Sequence, residues 1–337
     1  MRLFPFEYRK PAALEEAIAL LSSQDSAKII AGGTDLLPRI KKKTQTPKTI
    51  VSIKALADLN YIREESGGLR IGALTTLRHI EQSPLVREKV PFLAEAARSV
   101  GSLQLRYMGT IGGNICQDSR CSYLDHAYLF GKEVWEKCYK RGGECCHAVK
   151  AVKKGKKCYA VYSSDIAPVL VTLGAKVKLM GQEGEKSIRI ENFFSGQGDR
   201  VHRIKSDEIV TEFQIPVLPS LSYGVYLKER DRQSIDYAIA GVAVLFSVGS
   251  TYGSGEFRIV LTSVGSSPIE AKEAEVILSG KQLNEDLIDI AGDMASKESH
   301  PVSNHNYSAG YLRDIIKGLV KKACLEAGRL ARQGGAG

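Results

Sequence analysis

The strongest constraint in the sequence is the clustering of its cysteines. All but one of the seven lie in a single segment, as Cys116, Cys121, Cys138, Cys145, Cys146 and Cys158. Residues 116–160 are rich in lysine, tyrosine and glycine and show no clear period, so this segment is expected to fold around something other than an apolar core. Clustered thiols indicate a metal site, whereas Cys324 lies alone in a helical pattern and is expected to pack in a core.

The donor chemistry of these thiols leaves two kinds of metal site open. Soft thiolates are suitable ligands for iron, and four of them coordinate one [4Fe–4S] cube. Zinc also accepts four cysteines, although the paired C-x-x-C spacing typical of structural zinc is absent from this sequence. The lysines nearby favour thiolate over thiol in either case.

Length, composition and the N-terminus indicate the class of protein. The 337 residues suffice for two or three domains, and 43% hydrophobic with 25% charged residues is the composition of an ordinary globular protein. Apolar stretches are too short to cross a bilayer, and acidic residues interrupt the N-terminal sequence where a signal peptide needs an apolar section. We therefore expect a cytoplasmic protein with reduced thiols and no membrane partner.

The formal net charge of +9 raises the question of nucleic acid. Lysine and arginine are scattered, apart from Lys41 to Lys43 and the stretch from Lys150 to Lys157. This distribution favours a solvated basic face, so no nucleic-acid partner is expected. Basic patches equally suit the steering of an acidic electron-carrier protein or an anionic substrate, and the sequence does not separate these.

The order of predicted elements gives an α+β fold in three parts. A helix opening at Pro11 and strands at 28–31 and 49–53 form a small α/β subdomain over residues 1–57. A second α/β subdomain over residues 58–218 contains the cysteine insert at about 116–160. Beyond Pro216 and Pro219, strands precede helices, which predicts a C-terminal α+β domain over residues 219–332 with a sheet covered by helices on one face.

Two glycine-rich turns are the candidate ligand-binding loops. They read Ile29-Ile30-Ala31-Gly32-Gly33-Thr34-Asp35-Leu36 and Gly109-Thr110-Ile111-Gly112-Gly113-Asn114. Paired glycines allow positive φ and close approach to a ligand, and successive N–H groups form a concavity for phosphate. The alternative for the first turn is a tight strand-to-helix connection capped by Thr34 or Asp35. Two such turns in one α/β region predict a dinucleotide with two phosphates.

Neither turn matches a common nucleotide-binding fingerprint. The sequence contains no complete G-x-G-x-x-G and no G-x-x-x-x-G-K-[ST]. A nicotinamide-type doubly wound fold and a P-loop enzyme are therefore both disfavoured.

The two turns, Ser164-Asp165-Ile166-Ala167-Pro168 and the C-terminal section together resemble the FAD-binding subunits of the xanthine dehydrogenase and carbon monoxide dehydrogenase family. The resemblance runs from about Phe4 to about Ala331. It implies a FAD-binding region of the vanillyl-alcohol oxidase/PCMH type and a C-terminal domain of the CO dehydrogenase flavoprotein type, with an antiparallel sheet and helices. It also implies that both turns grip the pyrophosphate and ribityl parts of FAD.

The resemblance further implies which positions bind the cofactor. The implied FAD site comprises Ile29, Ile30, Ala31, Gly32, Gly33, Thr34, Asp35, Leu36, Thr76, Thr110, Gly113, Asn114, Asp118, Asp165 and Lys228. For Asp165 a role as helix N-cap before Ala167-Pro168 is the alternative, and both roles are compatible. Thr76 and Lys228 rest on the resemblance alone.

The cysteine segment itself resembles the β subunits of 4-hydroxybenzoyl-CoA reductases. The matching pieces are Cys116-Gln117-Asp118-Ser119-Arg120-Cys121, Lys137-Cys138-Tyr139, Cys145-Cys146-His147 and Lys157-Cys158-Tyr159. That resemblance implies a [4Fe–4S] cluster on Cys121, Cys138, Cys146 and Cys158. Cys145 is an alternative to its neighbour, Cys116 is expected to be a packing residue beside the flavin turn, and His147 is not needed as a ligand.

The resemblance implies a chain that relays electrons and has no catalytic residue of its own. Its implied partners are a large subunit that binds molybdopterin and a small subunit with two [2Fe–2S] clusters, arranged as a dimer of heterotrimers. Ferredoxin would feed electrons through the [4Fe–4S] centre and FAD to molybdenum, where 4-hydroxybenzoyl-CoA loses its phenolic hydroxyl. One alternative is an aldehyde or purine dehydrogenase whose flavin passes electrons to NAD or another acceptor. The other is a zinc-binding interaction protein without a redox role.

Overall fold

The computed structural model describes residues 3–24, 26–125, 136–149, 157–249, 254–303 and 306–334. In this part of the chain, strands form three sheets. Most of the basic stretch from Lys150 to Lys157, and part of the predicted cysteine insert, lie outside the described residues. No helix in the described ranges is both long and apolar enough to cross a membrane.

The N-terminal unit is a small parallel sheet with order β1-β3-β2. Its elements are β1 (Glu7–Arg9), α1 (Leu14–Ser23), β2 (Ala27–Ile30), α2 (Leu36–Lys41) and β3 (Thr49–Ser52). Helix α1 buries Ala17, Ile18 and Leu21, the stripe that its apolar spacing predicts. Strand β2 ends just before the first glycine-rich turn, so the turn lies at the carboxyl edge of this sheet.

The second unit is an antiparallel sheet with order β4-β5-β8-β6-β7. Its strands are β4 (Ile62–Glu65), β5 (Gly68–Gly72), β6 (Lys176–Gly181), β7 (Gly184–Arg189) and β8 (Ile209–Ile215). Its helices are α3 (Leu77–Gln82), α4 (Pro84–Lys89), α5 (Pro91–Ser99), α6 (Leu103–Met108), α7 (Ile111–Ile115), α8 (Ser122–Asp125), α9 (Ile166–Thr172) and α10 (Ile190–Phe193). The largest buried core lies between these elements, around Phe92, Phe193 and Phe213.

The third unit is an antiparallel sheet with order β12-β11-β10-β9. It comprises β9 (Ser222–Glu229), β10 (Ala240–Val248), β11 (Gly255–Thr262), β12 (Ile269–Glu270), α11 (Lys272–Leu278), α12 (Glu285–Glu298) and α13 (Ala309–Gly334). The mixed architecture with an antiparallel C-terminal sheet confirms the predicted fold class.

The C-terminal sheet is buried on both faces. Val242 and Val244 of β10 pack with the helices, together with Cys324, which is fully buried as predicted. Ala243 and Leu245 of the same strand belong to the core of the second unit. The predicted helical cover therefore exists on one face, and the second unit covers the other, which explains why β10 is apolar at successive positions. Each sheet falls within one of the three predicted segments, and the boundaries near residues 57 and 218 stay predictions.

Candidate functional site

The first glycine-rich turn connects β2 to α2 and requires both of its glycines. Gly33 has a φ of +73°, in the left-handed region that favours glycine. At Gly32 an added Cβ would lie 1.9 Å from the Met108 carbonyl oxygen. Among the hydrogen bonds between described residues, the amide N–H groups from Gly32 to Asp35 donate none to another protein group. Asp35 occupies the cap position of α2 without a side-chain capping bond, so the turn presents open donors.

The second turn uses its amides inside the protein. The Thr110 hydroxyl accepts from the Gly113 N–H at 3.0 Å and thereby caps α7. The N–H groups of Ile111 and Gly112 donate to carbonyl oxygens of the loop that follows β5, at 2.9 Å each. A Cβ at Gly112 would lie 2.8 Å from the Ala73 carbonyl oxygen. The two turns thus differ: the first offers N–H donors, whereas the second offers close backbone packing.

A cavity of about 630 Å³ lies between the two turns. The predicted site residues that line it are Ile29, Ile30, Ala31, Gly32, Gly33, Thr34, Asp35, Leu36, Thr110, Gly113 and Asp118. Its wall also contains Lys140 and His202, which the sequence did not indicate as site residues. A lone lysine in a polar segment and a histidine in a loop carry no pattern that distinguishes them from solvated residues.

Four predicted site residues lie outside the lining of this cavity. Thr76 caps α3 by accepting from the His79 N–H at 3.1 Å. The Asn114 side-chain oxygen accepts from the Ser164 hydroxyl at 2.6 Å. Asp165 and Lys228 form an ion pair with Oδ2 and Nζ 3.0 Å apart, and both side chains are about 95% buried, at 5% and 4% exposure.

Asp165 occupies the N-cap position of α9, the alternative role that its sequence context suggested, but it does not cap the helix with its side chain. Its side chain makes no capping bond to α9; the Ser164 hydroxyl accepts from the Ala167 N–H at 2.9 Å instead. The Tyr226 hydroxyl donates to Asp165 Oδ1 at 2.6 Å. Burial raises the pKa of Asp165, while the positive charge of Lys228 opposes that shift.

A network of charges connects the first turn to the cysteine segment. The Asp35 carboxylate pairs with Arg39 at 2.9 Å and with Arg120 at 3.0 Å. Arg39 also donates to the Asp118 carbonyl oxygen at 2.8 Å. Lys140 Nζ lies 2.7 Å from Asp118 Oδ1. Burial works to raise the pKa of Asp118, but the charges of Lys140 and Arg39 outweigh it and lower the pKa.

His202 forms an uncharged part of the cavity wall. Its Nε2 lies 2.9 Å from the Ile115 carbonyl oxygen, so that nitrogen carries the proton and donates. Burial lowers the pKa of His202 to about 4, against the effect of the Ile115 carbonyl. The ring packs among Phe193, Phe194 and Tyr162, which keeps it fixed.

Four cysteines line a second, small cavity of about 10 Å³. They are Cys121, Cys138, Cys146 and Cys158, the predicted cluster ligands. Cys145 pairs with Cys138 in an isolated bridge, and its sulfur lies 3.2 Å from the Lys137 carbonyl oxygen and 3.6 Å from His147 Nε2. Of these two neighbouring residues, Cys146 lines the cavity and Cys145 does not.

Burial favours the protonated form of two of these four thiols. Burial raises the pKa of Cys158 to about 12, although the Ala160 N–H donates to its sulfur at 3.5 Å, and burial also raises the pKa of Cys121. A metal would therefore have to displace protons on binding. Within the described ranges, no three His, Cys, Asp or Glu side chains lie close enough together to hold a metal ion as they stand. Cys116 packs against the main core, as predicted.

Comparison with known proteins places this geometry in a family. Residues 4–218 match the model of the FAD binding domain in molybdopterin dehydrogenase, and residues 225–327 match the CO dehydrogenase flavoprotein C-terminal domain. The chain belongs to this family of FAD-binding subunits. The glyceraldehyde dehydrogenase medium chain of Sulfolobus acidocaldarius is 30% identical over 321 residues, which cover 95% of this chain and 98% of that protein.

The names of other relatives give different substrates. The nicotinate dehydrogenase FAD-subunit of Eubacterium barkeri is 28% identical, with 94% of each chain covered. Among solved structures, the carbon monoxide dehydrogenase of Hydrogenophaga pseudoflava that lacks the Mo-pyranopterin moiety superimposes with a TM-score of 0.80. It is 27% identical, and the match covers 98% of this chain and 99% of that chain.

These matches confirm the predicted family, its FAD cofactor and the status of the chain as an oxidoreductase subunit. They contradict the alternative of a protein without a redox role. The assignment of individual site residues stays a prediction.

Proposed function

We propose that this chain holds FAD in the cavity between the glycine-rich turns and relays electrons within a molybdenum enzyme. The observation that carries the proposal is the row of open amide donors from Gly32 to Asp35 in the wall of a cavity of about 630 Å³. Successive N–H groups of this kind match the oxygens of a pyrophosphate. The negative charge of Asp35 does not oppose such a ligand, because Arg39 and Arg120 neutralise it.

FAD, when bound, links carriers that move one electron with carriers that move two. The chain's own residues bind it, orient it and fix the charge around it. Gly32 and Gly33 let the backbone approach the phosphates, Thr110 holds α7 in place, and the neutral His202 adds no charge to the wall. We propose that the chain itself makes no bond on an organic substrate and acts only in electron transfer.

We further propose that Cys121, Cys138, Cys146 and Cys158 hold a [4Fe–4S] cluster. Their convergence on one cavity and their donor chemistry support this proposal. The cavity of about 10 Å³ is smaller than an iron–sulfur cube, so loading requires the thiols to move apart. Cys146 is the better fourth ligand because the Cys145 sulfur contacts the Lys137 carbonyl oxygen instead.

For the complex, we propose the predicted dimer of heterotrimers, with a large molybdopterin subunit and a small subunit carrying two [2Fe–2S] clusters. The proposed reaction is the reductive dehydroxylation of 4-hydroxybenzoyl-CoA with ferredoxin as donor, and the cysteine segment is the feature that supports it. An aldehyde dehydrogenase is the alternative, favoured by the identity of 30% with the glyceraldehyde dehydrogenase medium chain. The cytoplasmic location remains a prediction.

The flavin site is tested by the exchange Gly32→Ala in the native complex. The added Cβ collides with the Met108 carbonyl, so we expect flavin content to fall to below about a tenth of the wild-type value. Gly318→Ala is the matched control, because nothing lies within 4 Å of a Cβ on that helical glycine. Full flavin occupancy in the Gly32→Ala complex would place FAD elsewhere.

The cysteine site is tested by iron, acid-labile sulfide and zinc analysis of the anaerobically purified complex. We expect iron and sulfide in excess of two [2Fe–2S] clusters, lost in Cys138→Ser and retained in Cys145→Ser, with FAD bound in both variants when FAD is supplied at saturating concentration. Zinc in place of the extra iron, or equal loss from both variants, contradicts the ligand set.

The reaction is tested by assaying the same complex for each of the two candidate activities. Consumption of 4-hydroxybenzoyl-CoA with reduced ferredoxin supports the proposed reductase. Oxidation of glyceraldehyde with an electron acceptor, and no turnover of the thioester, supports the aldehyde dehydrogenase.

A further inference from the structure

Lys140 lies between the two candidate cofactor sites. Its side chain lines both the cavity beside the glycine-rich turns and the cavity of the four cysteines. The side chain is only 8% exposed, which is unusual for a lysine. A buried ammonium persists where several acceptors surround it, so its bonding partners indicate what it holds together.

The ammonium joins the segments of Cys138 and Cys121 to the loop of Gly198. Lys140 follows Cys138 by two residues and bonds to Asp118, to the Ser119 hydroxyl, and to the Gly198 carbonyl oxygen at 2.9 Å. Ser119 is fully buried and itself donates to the Gly198 carbonyl at 2.5 Å. Two residues after Ser119 comes Cys121.

The third cysteine segment is reached through Gly198. The Gly198 N–H donates to the Cys158 carbonyl oxygen at 3.2 Å. A Cβ at Gly198 would lie 2.6 Å from the Ala160 nitrogen, so the loop is pressed against this segment. One ammonium therefore fixes the backbone on either side of the cysteine cavity.

The same ammonium reaches the first glycine-rich turn through one carboxylate. Asp118 bonds to Lys140 through Oδ1, and its backbone N–H donates to Asp35 Oδ2 at 3.2 Å. Arg39 bonds to both Asp35 and Asp118 and makes the link rigid. Each step from Lys140 to Asp35, the last residue of the turn with an open amide, is therefore a hydrogen bond or an ion pair.

We propose that Lys140 is a positioning residue that couples the cysteine site to the flavin site, so that a filled cysteine site strengthens FAD binding and the reverse. The inference rests on the proposed function, since it needs both cofactors. A metal that fixes the cysteine segments also fixes the Asp118 segment through Lys140, and FAD then meets a turn that is already ordered. Coupling of this kind is reciprocal.

The test is a double-mutant cycle on the full complex with FAD affinity as the readout. Four complexes are compared: wild type, Cys138→Ser, Lys140→Met and the double variant. With Lys140 present, we expect Cys138→Ser to weaken FAD binding by about tenfold, within the range usual for coupled sites. In the Lys140→Met background the same change is expected to alter the Kd by less than about twofold. Equal weakening in both backgrounds, or none in either, overturns the proposal.

A second readout separates coupling from simple loss of structure. A buried positive charge stabilises the more negative, reduced form of a cluster, so Lys140→Met is expected to lower the midpoint potential of the added centre in a redox titration. Lys140→Arg keeps the charge and should leave that potential near the wild-type value. Lys321→Met, which removes a surface lysine paired with Asp289, is the control. An unchanged potential in Lys140→Met contradicts the assigned position.

If Lys140→Met yields no folded complex, Ser119→Ala takes its place in the cycle. This change removes the hydroxyl between Lys140 and Gly198 and leaves the charge intact. We expect the coupling to fall at least about threefold, and full coupling overturns the proposal. Iron and flavin contents of the wild-type complex report on the proposed function independently, so its failure is distinguishable from failure of the cycle.

Discussion

At the scale of single residues, Glu275 makes the stability of the C-terminal unit depend on pH. Its carboxylate, at the inner side of α11, accepts from the Ile259 N–H at 2.7 Å. Burial raises the pKa of Glu275 to about 7, although the Ile259 hydrogen bond opposes the shift. Because the folded pKa lies above the unfolded value of 4.5, the stabilising effect is present at low pH and is lost as the pH rises through about 7.

We therefore expect Glu275→Gln to change little at about pH 5 and to stabilise the chain by about 1 kcal/mol at about pH 8, a value reduced for partial solvent access. The amide oxygen can still accept from the Ile259 N–H. Urea unfolding at both pH values measures the difference. The exposed Glu256 on the adjoining strand provides the control Glu256→Gln, and an equal effect at the two pH values would exclude burial of the charge as the cause.

Residue-level prediction from sequence is possible only where a local pattern carries the chemistry. Gly32 and Gly33 stand out because a glycine pair after an apolar strand has few structural uses. Lys140 and His202 gave no such signal. Asp165 and Lys228 pair across 63 residues of sequence, so only family resemblance, and no spacing rule, pointed to both. The different use of amides in the two turns depends on the neighbouring loop of Ala73 and Thr75, which the motif does not contain.

At the scale of elements, the pair of Asp165 and Lys228 joins the start of α9 to β9. Removing one partner leaves the other charge buried, which costs about 3–5 kcal/mol. We expect Lys228→Met to lower the free energy of unfolding by that amount, and Asp165→Asn combined with it to recover part of the loss. Lys317→Met, which breaks the surface pair with Asp293, should change the free energy of unfolding far less. Denaturant titration of the variants measures these free energies of unfolding. Equal losses in Lys228→Met and Lys317→Met would contradict the argument from burial.

Elements with a repeating apolar period were predictable, and those without one were not. In helix α1 and strand β10 the apolar positions of the sequence are the positions that the structure buries. The segment from Cys121 to Cys158 has no such period, and among its described residues Lys140 is held by side-chain bonds to Asp118 and Gly198. Its short helix α8 and its bridge between Cys138 and Cys145 are too short for an apolar period to predict them.

At the scale of the whole molecule, helix α6 exposes four large apolar side chains. Leu103, Leu105, Tyr107 and Met108 are 44%, 37%, 57% and 50% exposed. The inner side of the helix is held by Arg106, whose guanidinium pairs with Glu81 at 2.9 Å. An exposed apolar cluster on a firmly held element is typical of a protein interface. The helix also ends against Gly32, so a partner docked there would lie beside the first glycine-rich turn.

This surface predicts where a partner subunit binds. We expect Tyr107→Asp with Met108→Asp to weaken assembly of the complex at least about tenfold, because two charges would be buried without partners at the interface. Val276→Asp is the control, since Val276 is a 74% exposed apolar residue on a different unit. Co-purification of the partner subunits at graded concentrations measures the effect. Gly32 packs against α6, so loss of the partner should also loosen the first turn. We therefore expect flavin release to accompany subunit release. Assembly that survives the double change would assign the interface to another surface.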